Sequence, residues 1–217
     1  MKTGKNTIQS YLYVYNLLST SLWSIVFVNT LLGFYVGQPY LFELTNKFTT
    51  VVQCCAVLEI FNAIVGYVKA PIFTTTIQVL SRFLVVIGIF QLLPNSPANV
   101  HWVYMTLCLS WSITEVLRYG FYASKLYSPD EVPPFLVWCR YSLFVVLYPS
   151  GVASEVTMIY MSLPEADKVF GSYYLGFLKL VLLIYLPGLF ILYSYMLEQR
   201  KKVLGQEQKN KKEKKRE

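Results

Sequence analysis

Charge is what most of this chain lacks. Of its 217 residues only 14% are charged, against roughly a quarter in an ordinary soluble domain, and 55% are hydrophobic. The shortage is sharper than the average suggests. Nine of the 19 Lys and Arg follow Leu197, beginning at Arg200, so the first 197 residues hold ten bases and eight acids. Such a body excludes a soluble globular domain, a disordered chain and a nucleic-acid binder with a basic folded surface. Histidine is nearly absent, with His101 alone. The four cysteines, Cys54, Cys55, Cys108 and Cys139, lie in apolar runs and none has metal-ligand spacing to a histidine. That argues against a disulfide framework and against a Cys/His metal site. No Asn-x-Ser/Thr sequon occurs, because Asn95-Ser96-Pro97 lacks the required third residue. Nor is there an internal repeat, which weighs against an inverted-repeat transporter.

What the chain does have is long apolar runs. They predict an all-α polytopic membrane protein, a bundle of six transmembrane helices with cytosolic N- and C-termini. Residues 1–197 form the transmembrane domain and 198–217 a basic cytosolic tail. The expected spans are Tyr11–Phe34, Phe48–Val68, Ile72–Leu93, Val100–Tyr119, Phe135–Tyr160 and Tyr173–Leu197. Each has roughly the 20 residues that cross a ~30 Å hydrocarbon core. The first is too long for a signal-peptide core and lacks a small-residue cleavage site, so it should remain as a helix. Pro94-Asn95-Ser96-Pro97, Ser128-Pro129-Asp130 and Pro133-Pro134 mark breaks, and Lys69-Ala70-Pro71 is a tight turn between the second and third spans. Lumenal loops are expected near Gln38–Asn46, Asn95–Asn99 and Pro164–Phe170. With both ends cytosolic, fifteen bases collect toward the cytosol and only Lys47 and Lys168 toward the other side, Arg82 and Lys179 being set aside within spans, a strong positive-inside asymmetry. The final Lys214-Lys215-Arg216-Glu217 resembles a dilysine retrieval signal of endoplasmic reticulum membrane proteins.

Ionisable groups within spans are costly and point to function. Glu59 is eleven residues before Ala70 and Arg82 twelve after it, so both lie ~17 Å from one turn and can pair across adjacent helices. Gln78 is four residues before Arg82, on its face. The pair either fixes helix register or forms the polar wall of a pocket. Glu115 and Arg118, three apart, read as a local pair near the cytosolic end of the fourth span. Arg140, one turn inside the fifth, is either a snorkelling side chain or an anion anchor at the cytosolic mouth.

The fifth span carries the sharpest pattern, Tyr148-Pro149-Ser150-Gly151-Val152-Ala153-Ser154-Glu155. Tyr148 and Glu155 are seven apart, on one helix face and about 10 Å apart along the axis. Gly151 lies between them and leaves room for a ligand against the backbone. Pro149 cannot donate to the Val145 carbonyl and should loosen the helix locally. Two titratable groups facing one gap suit acid–base chemistry.

That stretch resembles the active-site segment of the very-long-chain (3R)-3-hydroxyacyl-CoA dehydratases, also called protein-tyrosine-phosphatase-like proteins. Val52-Gln53-Cys54, Leu58-Glu59-Ile60, Gln78-Val79-Leu80-Ser81-Arg82, Gly88–Asn95 and Trp111–Tyr119 match as well. The resemblance looks nearest to the fungal members. It implies no phosphatase, since no cysteine here is followed six positions later by arginine. It implies instead the third step of fatty-acid elongation in the endoplasmic reticulum membrane, in which a 3-hydroxyacyl-CoA loses water to give a trans-2-enoyl-CoA. Carried onto this chain, the catalytic pair falls on Tyr148 and Glu155, and further activity positions on Glu59, Gln78, Arg82, Arg140 and Gly151. The product class feeds very-long-chain fatty acids and sphingolipid precursors. Expected partners are the substrate, the bilayer, an elongase, a 3-ketoacyl-CoA reductase and an enoyl-CoA reductase.

Dehydration needs a base for the C2 proton and an acid for the C3 hydroxyl. One assignment makes Tyr148 the base and Glu155 the acid; the reverse stays open. The chemistry requires no metal or redox cofactor. CoA is charged and cytosolic while Glu155 lies past the midpoint of its span, so the substrate should enter a funnel from the cytosol. Lys69, Arg118 or Arg140 would hold its phosphates at the mouth. Two other readings compete, a non-catalytic membrane scaffold of the elongation complex and a small transporter gated by Glu59 and Arg82.

Overall fold

The computed structural model describes residues 2–68, 72–129 and 131–213. Among them every regular element is a helix. The helices are α1 (Lys2–Val36), α2 (Tyr40–Cys54), α3 (Val57–Ile64), α4 (Ile72–Phe83), α5 (Trp102–Tyr127), α6 (Pro134–Ser142), α7 (Phe144–Phe170) and α8 (Ser172–Glu213). From Leu84 to Gln91, α4 continues as a π-helix, whose wider turn bonds Leu92 N to the Ile87 carbonyl five residues back at 3.0 Å.

Thr7–Val36, Tyr40–Ile64, Phe144–Phe170 and Ser172–Gly205 are each long and apolar enough to cross a membrane, and Thr75–Gln91 is a shorter apolar helix. The fold is therefore a bundle of membrane helices. The fourth expected span lies in α5, 26 residues or about 39 Å long. It is more polar than the others because α1, α6 and α7 surround it, so Glu115 and its buried serines meet protein rather than lipid.

Side-chain pairs fix the directions of the helices. Thr45 bonds Tyr104 and Glu59 bonds Arg118, in both cases across 59 residues, so α2 and α3 run parallel to α5. Tyr15 meets the ring of Tyr119 while Gln38 reaches the His101 carbonyl, so α1 runs antiparallel to α5. Ser110 bonds Ser150 and Thr106 bonds Ser154, both at 2.8 Å, which makes α7 antiparallel to α5. Tyr185 bonds Glu155 and Tyr193 stacks on Tyr148, so α8 is antiparallel to α7. The core sits around Tyr104, which meets Phe42 and Phe90 edge-on at 5.0 and 5.3 Å between ring centres.

Several expected boundaries move. The loop expected over Gln38–Asn46 is only Gly37-Gln38-Pro39, and Gly37 turns the chain at a φ of +75°. Its polar residues sit inside α2 because Thr45 and Asn46 return their donors to the Leu41 and Phe42 carbonyls, both at 2.6 Å. The expected fifth span is two helices, broken at Leu143 and not loosened at Pro149, through which α7 runs on. The loop expected over Pro164–Phe170 is the end of α7; a proline costs one backbone bond there, and Glu165 and Lys168 pair one turn apart at 3.8 Å. The chain reverses at Gly171, φ +72°. Finally, α8 continues through the expected tail to Glu213, since Leu, Glu, Gln and Lys all favour helix.

Candidate active site

The segment from Ser150 to Glu155 folds as helix and faces α5 with its small residues. Ser150 and Ser154 bond Ser110 and Thr106, and Gly151 lies flat against the same helix. A Cβ on Gly151 would meet Ser110 Cβ at 3.6 Å and Trp111 Cδ1 at 4.0 Å. Gly151 thus admits a neighbouring helix rather than a ligand, and the expected gap over it is occupied by α5. Small residues at this spacing let membrane helices approach closely.

That close approach brings Trp111 onto Glu155. The indole Nε1 donates to Glu155 Oε1 at 2.9 Å, and the hydroxyl of Tyr185 on α8 donates to Oε2 at 2.8 Å. Glu155 is buried, and each of its oxygens accepts one bond from a donor on a different helix. Two turns toward the start of α7, Tyr148 is half-buried and stacks on Tyr193, ring centres 6.2 Å apart and planes 16° from parallel. No hydrogen bond ties its hydroxyl to a described residue. Tyr148 and Glu155 therefore share the face of α7 turned toward α8.

Glu59 and Arg82 do not pair with each other. Glu59 takes both terminal nitrogens of Arg118, at 2.5 and 2.7 Å, and the hydroxyl of Tyr119. Arg118 also donates to Glu115 at 2.7 Å, and Glu115 takes the guanidinium of Arg82. Four charges of alternating sign thus run Glu59, Arg118, Glu115, Arg82 across α3, α5 and α4. The expected direct pair is absent because α5 interposes its own acid and base, Glu115 and Arg118, between them. At the far end the Arg82 guanidinium lies over the Trp111 ring, 5.1 Å from its centre, and so behind the indole that holds Glu155.

The remaining expected residues lie elsewhere. Gln78 is exposed on α4, and its backbone carbonyl accepts from Ser81 at 3.0 Å. Arg140 lies over the rings of Tyr122 and Phe121, 4.5 and 4.8 Å away, and donates to the Tyr122 hydroxyl at 2.8 Å; its buried Nε has no hydrogen-bond partner among the described residues. Arg118 has its donors committed to two carboxylates and is not free for CoA phosphates. Lys69 and the dilysine-like end fall outside the described residues. Sequence reasoning missed Trp111, Tyr185 and Tyr193 as site residues. Tyr185 is one of 18 tyrosines and stands in an apolar run, and its only signal is the eight-residue spacing to Tyr193, which matches two helical turns.

The chain is similar along nearly its whole length to known proteins. A very-long-chain (3R)-3-hydroxyacyl-CoA dehydratase of Caenorhabditis elegans is 39% identical over 213 residues, covering 92% of this chain and 96% of the relative. A probable very-long-chain (3R)-3-hydroxyacyl-CoA dehydratase of Schizosaccharomyces pombe is 37% identical, covering 89% and 92%. The human very-long-chain (3R)-3-hydroxyacyl-CoA dehydratase 2 is 30% identical, covering 94% and 84%. No solved structure matches. The model of the protein tyrosine phosphatase-like proteins, PTPLA, matches residues 53–206, which hold Glu59, Arg82, Trp111, Tyr148, Glu155 and Tyr185, and the chain belongs to that family.

Proposed function

We propose that this chain is a hydro-lyase that removes water from a (3R)-3-hydroxyacyl-CoA to give the trans-2-enoyl-CoA, the third step of very-long-chain fatty-acid elongation. Relatives bearing that activity in their names match over most of both chains. The observation that carries the reading is the buried Glu155 carboxylate on the same face of α7 as the Tyr148 hydroxyl. One of the two takes the C2 proton while the other gives a proton to the departing C3 hydroxyl, and the proton then returns between them as water leaves. Each works as a positioned acid or base inside a bundle that excludes bulk water. Either group suits either role.

Six alternating spans with both termini cytosolic support access from the cytosol. The helix directions fit this, because α1, the π-extended α4 and α7 oppose α2–α3, α5 and α8. The basic asymmetry sets the orientation. Arg140 and Lys69 lie toward the cytosolic mouth on this reading, where CoA phosphates would be held. The dilysine-like end and the substrate class point to the endoplasmic reticulum membrane, beside an elongase, a 3-ketoacyl-CoA reductase and an enoyl-CoA reductase.

The test is direct. Purified protein in detergent is incubated with a (3R)-3-hydroxyacyl-CoA and enoyl-CoA is measured. Product formation above the protein-free rate supports the reading. A folded preparation that forms none overturns it and favours the scaffold.

A further inference from the structure

α8 is mostly turned to lipid. The neighbours of Tyr185 in sequence, Leu183, Ile184 and Leu186, are 66%, 59% and 61% exposed. Tyr185 alone of these four turns inward, and its hydroxyl reaches Glu155 Oε2 at 2.8 Å. Eight residues on, the same face of α8 lays Tyr193 on Tyr148. The spacing on α8 is eight and on α7 seven, each close to two helical turns, so two antiparallel helices meet at both members of the candidate pair. Packing alone does not require the Tyr185 hydroxyl. Phenylalanine would fill the same volume, while a hydroxyl taken out of water costs free energy unless it finds a partner. Here the partner is the carboxylate of the reaction, and the second oxygen of that carboxylate is already held by the indole of Trp111.

We propose that Tyr185 is a positioning residue for the dehydration, holding Glu155 through its hydroxyl so that, with Trp111 on the other oxygen, the carboxylate keeps one orientation toward the substrate. Tyr185 touches no reacting atom; it acts through Glu155. The inference rests on the dehydratase reading above. A hydrogen bond to a charged group, removed without changing the ring, is worth roughly 10-fold to 100-fold in rate when only the transition state depends on it.

The experiment compares wild type, Tyr185→Phe and Tyr195→Phe in steady-state dehydration of a 3-hydroxyacyl-CoA across pH, with rates normalised to folded protein by detergent melting. The expected result for Tyr185→Phe is a kcat lower by roughly 10-fold to 100-fold, a KM within about twofold of wild type, and a displaced Glu155-governed limb of the kcat profile. Tyr195→Phe, at an exposed position on α8, should match wild type in all three. Wild-type kcat in Tyr185→Phe overturns the proposal. So does a rise in KM with kcat unchanged, which would make Tyr185 a substrate contact. So does a loss of folded yield with kcat per folded molecule intact, which would make it a packing residue. A wild-type chain that forms no enoyl-CoA overturns the dehydratase reading itself, whereas an active wild type beside an unchanged Tyr185→Phe removes only this proposal.

Discussion

On the proposed reading Tyr148 and Glu155 carry the reaction as single groups, and their substitutions separate chemistry from folding. Tyr148→Phe keeps the ring on Tyr193 and removes only a hydroxyl with no bond to a described residue. Glu155→Gln keeps the shape between Trp111 and Tyr185 but cannot take or give the proton. Each should lower turnover by about 10²–10⁴-fold, and the double variant should be scarcely worse than the poorer single, because groups acting as a unit are non-additive. Enoyl-CoA formation by the purified variants is the measurement, and near-wild-type turnover in both would remove the site. Gly151 behaves differently from the gap expected in the sequence. Gly151→Ala should be tolerated, since the added carbon meets Ser110 at an ordinary 3.6 Å. Gly151→Leu should part α5 from α7 and lower the melting temperature along with activity. The pair on α7 was legible because seven residues on any helix define a face. Trp111 and Tyr185 were not, because nothing in one helix's spacing says which residues of two others arrive opposite.

Between elements, the alternating charges on α3, α5 and α4 act as one unit. Glu115 is nearly fully buried, and removing either arginine leaves it short of a partner in a medium without water. Breaking such a buried pair by deleting one member costs roughly 3–5 kcal/mol. Arg118 touches both acids, so Arg118→Ala should lower folded yield more than Arg82→Ala. A double-mutant cycle on Glu59 and Arg118 should show coupling of at least about 1 kcal/mol, whereas Glu59 with Arg82, linked only through Arg118 and Glu115, should couple more weakly. Strong direct coupling in the second cycle would contradict the intervening pair on α5. That Glu59 and Arg82 lie near one another was legible from counting residues along the two helices. Their pairing was not, because depth fixes a level and leaves the angle around the helix axis open. Boundaries failed for a related reason: Thr45, Asn46 and Pro164 read as loop residues, but hydroxyl and amide groups can return to carbonyls of their own helix.

The whole molecule turns on the number of crossings. Four segments qualify as spans by apolarity alone, while the π-extended α4 is short and α5 is polar. Polarity does not bar α5 from the membrane when other helices cover it, and its parallel register with α2–α3 places it in the same crossing direction. On the proposed reading six crossings would return the chain to its starting side, and the fifteen-to-two excess of basic residues would make that side the cytosol. The consequence is testable at Gly171, the only residue between α7 and α8, which this reading places in the lumen. Because α7 is helical to Phe170, a glycosylation acceptor in the natural sequence there would sit too near the membrane. An acceptor inserted at Gly171 within a flexible spacer should be modified in microsomes, and the same cassette appended after Glu217 should not be. Glycosylation of the appended cassette, with Gly171 unmodified, would reverse α7 and α8, either by inverting the whole bundle or by taking α4 or α5 out of the membrane. It would also place the Tyr148 end of α7, and with it the route for CoA, on the side where CoA is not available. Modification at both positions would put both ends of α8 on the lumenal side and take α8 out of the membrane.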